Sequence, residues 1–468
     1  MAKNLMSENG IKKKDKQTIS RVEEVLSEGY CIGCGACTIG DVEAKIDFDE
    51  NGFLKPELST SKNEKANRDK VCPFTNQSRN ETELAQEIFI NAPFESQVIG
   101  RYFGLYAAYV KNKNNRLNSS SGGILTEINK NLLNSGYVDG VLAVGPSKSK
   151  NKLFEYQACY NSSDLETLSK TRYYPVEIGQ IINKVIDDDK IYAIVALPCM
   201  TKAIRNMQFL NPKLKQKFPF ISTLICGHLK SKFYTDFLAW QKNIYPSDVK
   251  NIDYRHKSSN RPANLYSTKF ETSKTSKVFL NEDIVLSDWG LGLFKPKACD
   301  FCDDVFGELG DIVVGDAWLP EYTKDYQGTS VVITRSLKAE QLINGNKNKI
   351  KSTVLNEKKI IKSQEGGVRH KRKGLFVRIT QYLQKDYKIP AKRLNLLESD
   401  VSSRERKKYM LRDILRIESL EAYKGAIKKN DLAFFYLHIN KYVKKYYRAS
   451  SHFYFLKKIV KFFIRKLK

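Results

Sequence analysis

Cys31, Cys34 and Cys37 stand two residues apart in CIGCGAC, and Cys72 follows in a Cys-Pro pair. Three thiols on one short loop are a poor filling for an apolar core, so they point to a bound inorganic group. A structural zinc ion ordinarily takes two separated pairs, because four ligands must converge tetrahedrally on one ion. A cubane is larger, and thiolates two residues apart can each reach a separate iron while a distant Cys-Pro supplies the fourth. The spacing favours a 4Fe–4S cluster, with zinc and unliganded thiols as the other readings. Gly33 and Gly35 suit such a loop, since they free the backbone and let amides approach the sulfurs.

The other cysteines gain meaning only together. Cys199 follows the apolar run IYAIVALP, Cys226 follows FISTLI, and Cys299 and Cys302 form the C-x2-C of KACDFCDD. Taken singly, a cysteine after an apolar run reads as a buried small hydrophobe. If both runs are strands of one parallel sheet, Cys199 and Cys226 lie at its carboxyl edge, where open α/β sheets gather ligands. An arriving C-x2-C then completes four thiolates, and a second cluster is expected. Cys159, in YQACYN, has no such companion and reads as structural.

The elements that position these residues follow from pattern. The chain has 468 residues, enough for two or three domains, and 41% are apolar. Residues 1–21 are polar and Lys-rich and read as a mobile leader. Residues 22–95 carry the first cysteines, a hairpin signal at Asn51-Gly52, and a helix with linker from 75 on. From 96 to 345, short apolar strands alternate with helical stretches, which predicts an α/β domain with a parallel sheet. Its strands include YFGLYAAYV, YVDGVLAVG, KIYAIVALPC, FPFISTLIC and ELGDIVVGDAW. SSSGGILTEINKNLLNSG reads as a capped helix with Ile124, Ile128 and Leu132 on one face. Residues 346–468 form a basic, mostly helical tail. No secretory leader or membrane-length apolar run is apparent, and nine cysteines in a reducing compartment favour metal or redox chemistry over disulfides, so a cytoplasmic place is expected. The formal charge of +27 implies an acidic partner, a nucleic acid or an anionic membrane surface.

The ordered set CIGCGAC, a later CP, SSSGG, SKTRYYP, LPC, ICGH, YRHK, CDFC and GDIVVGDAW resembles the coenzyme F420 hydrogenase/dehydrogenase beta-subunit family, which includes bacterial proteins from polysaccharide gene clusters. The resemblance spans roughly residues 22–336. It implies an iron-sulfur flavoprotein oxidoreductase with a ferredoxin-like module followed by an α/β flavin domain. Cys31, Cys34, Cys37 and Cys72 would hold one 4Fe–4S cluster, and Cys199, Cys226, Cys299 and Cys302 a second beside FAD. Where the family has GTPCQIAGL this chain has ALPCMTKAI, and CHG appears as CGH. These departures leave the substrate open among a deazaflavin, a nicotinamide and an unsaturated or carbonyl-bearing small molecule.

With that resemblance in hand, Ser119, Ser120, Ser121, Gly122 and Gly123 open a helix whose free amides and dipole suit the FAD pyrophosphate. An ordinary capped helix is the alternative. Lys170, Arg172, Arg255 and Lys257 offer cations to phosphate or to a reduced flavin, or else a solvated face. Asp311 and Asp316 bracket a strand ending at the same edge, and either could orient a flavin or substrate group or cap a loop. Asp316 and His228 are the catalytic candidates, His228 as a proton donor. The expected mechanism relays electrons between FAD-bound two-electron chemistry and an acidic, ferredoxin-like one-electron carrier. The rivals are an electron-transfer subunit without its own substrate and a zinc-stabilised nucleic-acid-binding protein, which the unpaired third cysteine disfavours. The stretch FYFLKKIVKFFIRKLK reads as an amphipathic helix for peripheral contact with an anionic membrane, or for docking on the protein's own core.

Overall fold

The computed structural model describes residues 17–41, 43–59, 62–149, 151–393 and 401–450. The FYFLKKIVKFFIRKLK stretch lies outside them. After helix α1 (Val22–Ser27) the Cys31 loop leads into strands β1 (Lys45–Phe48) and β2 (Leu54–Glu57), paired antiparallel with Phe48 opposite Leu54. The expected Asn-Gly turn is part of a longer loop, in which the Asp49 carboxylate accepts from the amides of Asn51 and Phe53, both at 2.9 Å. Helix α2 (Lys62–Val71) then delivers Cys72.

The main sheet is built from β3 (Gly104–Val110), β4 (Gly140–Pro146), β5 (Phe154–Cys159), β6 (Tyr192–Ala196) and β7 (Phe220–Leu224), with three later strands joining it. A separate antiparallel sheet of β8 (Val249–His256), β9 (Ser267–Thr272) and β10 (Ser276–Leu280) intervenes. The main sheet then resumes with β11 (Ile312–Asp316), β12 (Ser330–Thr334) and β13 (Ile350–Val354), in the order β13-β3-β12-β11-β7-β6-β4-β5. Only β4, β6, β7 and β11 run parallel to their neighbours in that series; β12 is antiparallel to both β11 and β3, and β5 and β13 are antiparallel edges. The expected parallel sheet is therefore part of a mixed one. One cause is connectivity: a short link such as the one from β4 to β5 can only reverse the chain, whereas parallel crossovers need a dozen or more residues. β13 falls where helix was expected.

Helix α3 (Ile124–Asn134) packs one face of the sheet, with Ile124, Ile128 and Leu132 fully buried as their spacing requires. Helices α4 (Pro198–Leu210) and α5 (Lys232–Trp240) follow β6 and β7. The C-terminal region supplies α6 (Glu365–Lys371), α7 (Lys373–Gln384), α8 (Ser403–Lys429) and α9 (Leu432–Ser450). The last two pair with each other and pack Leu415, Tyr423, Phe435 and Ile439 against Phe237 of α5 and Phe294. One core joins the N-terminal segment to the sheet: Ile19, Val22, Tyr30 and Cys34 share it with Ile194, Met200, Phe301 and Tyr382. The chain ends of this core are tied by backbone, Ile19 N–H donating to Ile389 at 3.0 Å and Ile389 N–H to Gln17 at 2.9 Å. Among the described residues no helix is long and apolar enough to cross a membrane.

Candidate functional site

The first four cysteines face one another. Each of Cys34, Cys31 and Cys72 adds to the rise in the Cys37 thiol's pKa, which burial begins. Burial and then the neighbouring Cys31 likewise push the Cys34 thiol up to about 12. The four thiols are therefore near neighbours in one buried region, and as thiolates they would need positive charge beside them. The loop geometry is set by Gly33, at φ +67°, where a Cβ would lie 2.2 Å from the Leu54 carbonyl oxygen. Its amide donates to the Cys31 sulfur at 3.3 Å.

The second four are brought together at the carboxyl edge of the parallel strands. Cys199 opens α4 directly after β6, Cys226 lies just beyond β7, and Cys299 and Cys302 come in on a short turn. Burial raises the Cys199 thiol strongly, and Cys226, Cys302 and Cys299 raise it further, with Cys34 of the first set adding to them. The two sets are therefore neighbours through Cys34 and Cys199. Leu229 N–H donates to the Cys299 sulfur at 3.3 Å. The Lys371 ammonium donates to the Cys302 sulfur at 3.2 Å, to the Cys226 carbonyl at 2.8 Å and to the Asp304 carbonyl at 2.6 Å. Burial pulls that ammonium's pKa down, but the facing thiols of Cys302 and Cys226 hold it above the usual lysine range. A cavity of about 40 Å³ lies between these four cysteines. The donor chemistry of both sets, soft thiols met by N–H donors, fits an iron-sulfur group. Among the described residues no group of three or more His, Cys, Asp and Glu side chains is arranged to hold a metal ion. Cys159 packs in the separate apolar layer with Ile128 and Val141.

A larger cavity of about 690 Å³ opens beside the second set, between the sheet edge, the residues 119–123 loop, the β8 sheet and the C-terminal helices. Several expected contacts there are already engaged. Ser119 donates to the Asn115 carbonyl at 2.7 Å, Ser120 accepts from Thr171 N–H at 2.8 Å, and Ser121 donates to the Thr329 carbonyl at 3.0 Å. Gly122 N–H is spent on the Ser330 hydroxyl at 3.0 Å, and its missing Cβ reflects a backbone approach, the Ala108 oxygen lying 2.5 Å from where that atom would be. Gly123, at φ +80°, caps α3. The loop thus lines the cavity with its serines turned inward to the fold. The Lys257 ammonium donates to three carbonyls, of Arg116, Ser121 and Gln327, which ties it to the scaffold of that loop. Lys170 pairs with Asp253 at 2.8 Å. Arg172 stacks over the Phe154 ring at 4.6 Å, and its Nε has no partner.

The catalytic candidates are both at the cavity wall. Asp316 takes a two-point ion pair from Arg255 at 2.5 and 2.7 Å, so its carboxylate is occupied in orienting that guanidinium. Asp311 instead lies at the other end of β11, paired with Arg205 at 2.8 Å. His228 stacks on Trp289 with ring centroids 4.3 Å apart, and its buried Nε2 lacks a partner. Burial, then the charges of Lys230 and Lys295, keep it neutral, so it offers an N–H or a lone pair and no imidazolium proton. The sequence reading missed Lys230, Lys295, His370, Lys371, Arg378 and Arg412, which also line the cavity. One signal was available: Tyr409, Arg412, Arg416 and Tyr423 share the buried face of α8, and an arginine on such a stripe needs a buried partner.

Two family descriptions match the chain. One is Coenzyme F420 hydrogenase/dehydrogenase, beta subunit N-term, over residues 105–183, and the other is its C-terminal counterpart for the same beta subunit, over residues 189–359. The matched spans exclude the first cysteine set and Lys371, Arg378 and Arg412. The chain is 23% identical over 336 residues to the coenzyme F420-dependent sulfite reductase of Methanocaldococcus jannaschii, covering 69% of this chain and 47% of that protein. It is 23% identical over 268 residues to the coenzyme F420 hydrogenase subunit beta of Methanothermobacter thermautotrophicus, covering 53% and 82% respectively. Among solved structures, a chain of the F420-reducing NiFe hydrogenase complex from Methanosarcina barkeri superposes with a TM-score of 0.48 and 17% identity, over 63% of this chain and 98% of that one.

Proposed function

Because the chain belongs to the coenzyme F420 hydrogenase/dehydrogenase beta-subunit family, we propose that it is an oxidoreductase that relays electrons between a small molecule in the large cavity and a one-electron carrier. The observation that carries this reading is the grouping of eight of the nine cysteines into two adjoining sets of four. When bound, FAD would interconvert two-electron and one-electron chemistry, and two 4Fe–4S clusters would carry the single electrons. Cys31, Cys34, Cys37 and Cys72 hold the outer cluster in this proposal, and Cys199, Cys226, Cys299 and Cys302 the inner one.

The protein's own part is to position, desolvate and balance charge. Cys34 facing Cys199 keeps the two sets within one packed core. Lys371 places a positive charge on the inner set. Arg255, held by Asp316 and lying over the rings of Tyr266 and Trp318, presents a fixed cation to the cavity. Trp289 and His228 form a stacked wall beside Cys226. The substrate on this reading is a deazaflavin, a nicotinamide or an unsaturated or carbonyl compound. The +27 charge favours an acidic, ferredoxin-like partner, and nine free cysteines accord with a reducing, cytoplasmic setting.

The test is composition. Anaerobically reconstituted protein should contain about eight iron and eight sulfide per chain, together with extractable FAD. Cys34→Ser and Cys302→Ser should each lower iron and sulfide by about half. A colourless protein containing zinc would instead support the nucleic-acid-binding reading. The residues 119–123 loop is better probed at Arg255 than at Gly122, since any side chain at Gly122 would collide with the Ala108 carbonyl before its charge mattered.

A further inference from the structure

We propose that the C-terminal helices build an anion site into the wall of the large cavity, in which Arg412, Lys230, His228 and one arm of Arg378 receive a phosphate or carboxylate group of the molecule that enters. That the molecule is a redox substrate rests on the electron-relay reading; the binding itself does not.

The argument begins with charge. Lys230, Lys295, Arg378 and Arg412 are each only 2–3% exposed, and all line the cavity. With Arg416 they make five buried basic side chains, two of which, Lys230 and Lys295, burial makes costly to charge without an anion. Two buried carboxylates serve them: Asp300 meets Lys295, Arg378 and Arg416, and Asp413 meets Arg416. Among the described residues neither Lys230 nor Arg412 has a carboxylate ion pair. Lys230 donates to the Leu293 carbonyl at 2.6 Å and sits over the Trp289 ring at 4.6 Å; Arg412 donates one Nη to the His370 ring at 2.7 Å. These contacts orient the two side chains, and burial with the charges of Lys295 and Arg412 makes a charged Lys230 costly, a cost that Asp288 and Cys299 relieve only in part.

Geometry then shows where the compensation would come from. Three buried polar atoms of this group have no hydrogen-bond partner: His228 Nε2, Arg378 Nη1 and Arg412 Nε. Gly292, at φ +69°, permits the crowding, because the Arg412 Nη2 and the Lys295 ammonium both lie 3.3 Å from the place its Cβ would take. Buried groups of like charge with idle donors are costly unless an anion completes them. Guanidinium forks suit the oxygens of a phosphate or carboxylate. Lys230 follows β7, whereas the residues 119–123 loop is bonded to Thr329 and Ser330 at the start of β12, with β11 between those two strands. The cluster therefore serves a different part of the cavity's contents from that loop, at the end next to Cys226 and Cys299.

Isothermal titration of the anaerobically purified full-length protein, with inorganic pyrophosphate and separately with succinate, tests this. Saturable binding of one equivalent of either probe is expected, and the stronger of the two tells phosphate from carboxylate. Arg412→Gln and Lys230→Met should each weaken it roughly 10- to 100-fold, the loss of one charge-assisted hydrogen bond. The probe should raise the melting temperature of the wild type and not of the variants. Without probe the variants should melt no lower than wild type, since each removes a repelling cation. No saturable binding to the wild type, or equal binding by both variants, overturns the inference, as does a lower melting point in both variants with unchanged affinity. Protein that lacks iron and flavin but still binds the probe upholds the site while removing the electron relay.

Discussion

Asp300→Asn is the substitution for which the structure predicts the largest loss of stability in the polar cluster. The residue is fully buried between the two cysteines of the second C-x2-C. One carboxylate oxygen meets the Lys295 ammonium and lies 3.5 Å from Arg378 Nε; the other accepts from Arg416 Nε at 3.1 Å. Asparagine keeps an acceptor for Lys295 but turns its own N–H donors toward Arg416, so at least one charged hydrogen bond is lost, worth about 1.5–3 kcal/mol. Three cations are also left with one fewer counter-charge, and removing one partner of a buried ion pair ordinarily costs about 3–5 kcal/mol. The total should fall in that upper range. Thermal melting in one cofactor state, beside the exposed control Asp248→Asn, which should stay within about 0.5 kcal/mol of wild type, provides the comparison. The double variant Asp300→Asn, Lys295→Met removes both a carboxylate and a cation and should recover part of the loss, giving a coupling of about 0.5–3 kcal/mol. A single Asp300→Asn variant within about 1 kcal/mol of the control would refute the claim that this carboxylate anchors the cations around it.

Further outcomes follow from other contacts. Lys371→Met removes a positive charge held 3.2 Å from the Cys302 sulfur, so the potential of the inner cluster, followed by spectroscopic titration, should fall by about 60 mV or more, a tenfold effect for one electron; the outer cluster should not move. Gly33→Ala must shift the loop against Leu54, and iron retained by the outer set after gel filtration should drop while the inner set stays loaded. The rate of electron exchange with an acidic ferredoxin, measured by stopped flow, should fall steeply with ionic strength because a chain of charge +27 attracts it over long range; a salt-independent rate would assign the charge another purpose.

The grouping of the cysteines into two sets was legible because its information is local: two residues of spacing, a following proline, and an apolar run before each strand-end thiol. Ile124, Ile128 and Leu132 were legible for the same reason, a helical period on one face. What escaped the sequence is what arrives from far along the chain. Asp316 was placed at its strand end correctly, but its partner Arg255 comes from the β8 sheet, whose Ser, Thr and Lys content and irregular register hide its alternation. Lys371 and Arg412 sit in a basic stretch that reads as a solvated surface; α6 carries Lys371 to the carbonyls of Cys226 and Asp304, and the packing of α8 on Phe294 and its neighbours turns Arg412 inward. β13 carries one fully buried residue, Ile350, too little to announce a strand.

The backbone tie between Ile19 and Ile389 bears on how the protein is made. On a ribosome the N-terminal segment emerges first, but its core includes Leu375, Tyr382 and Ile389, and Tyr30 donates to the Lys388 carbonyl at 2.9 Å. These contacts do not exist until some 370 further residues have been added, which takes roughly 20 to 75 s at ordinary elongation rates. For that interval Cys31, Cys34, Cys37 and Cys72 belong to a segment whose lid has not yet been synthesised. Until those partners are made, the apolar face of this segment lacks the surface it packs against.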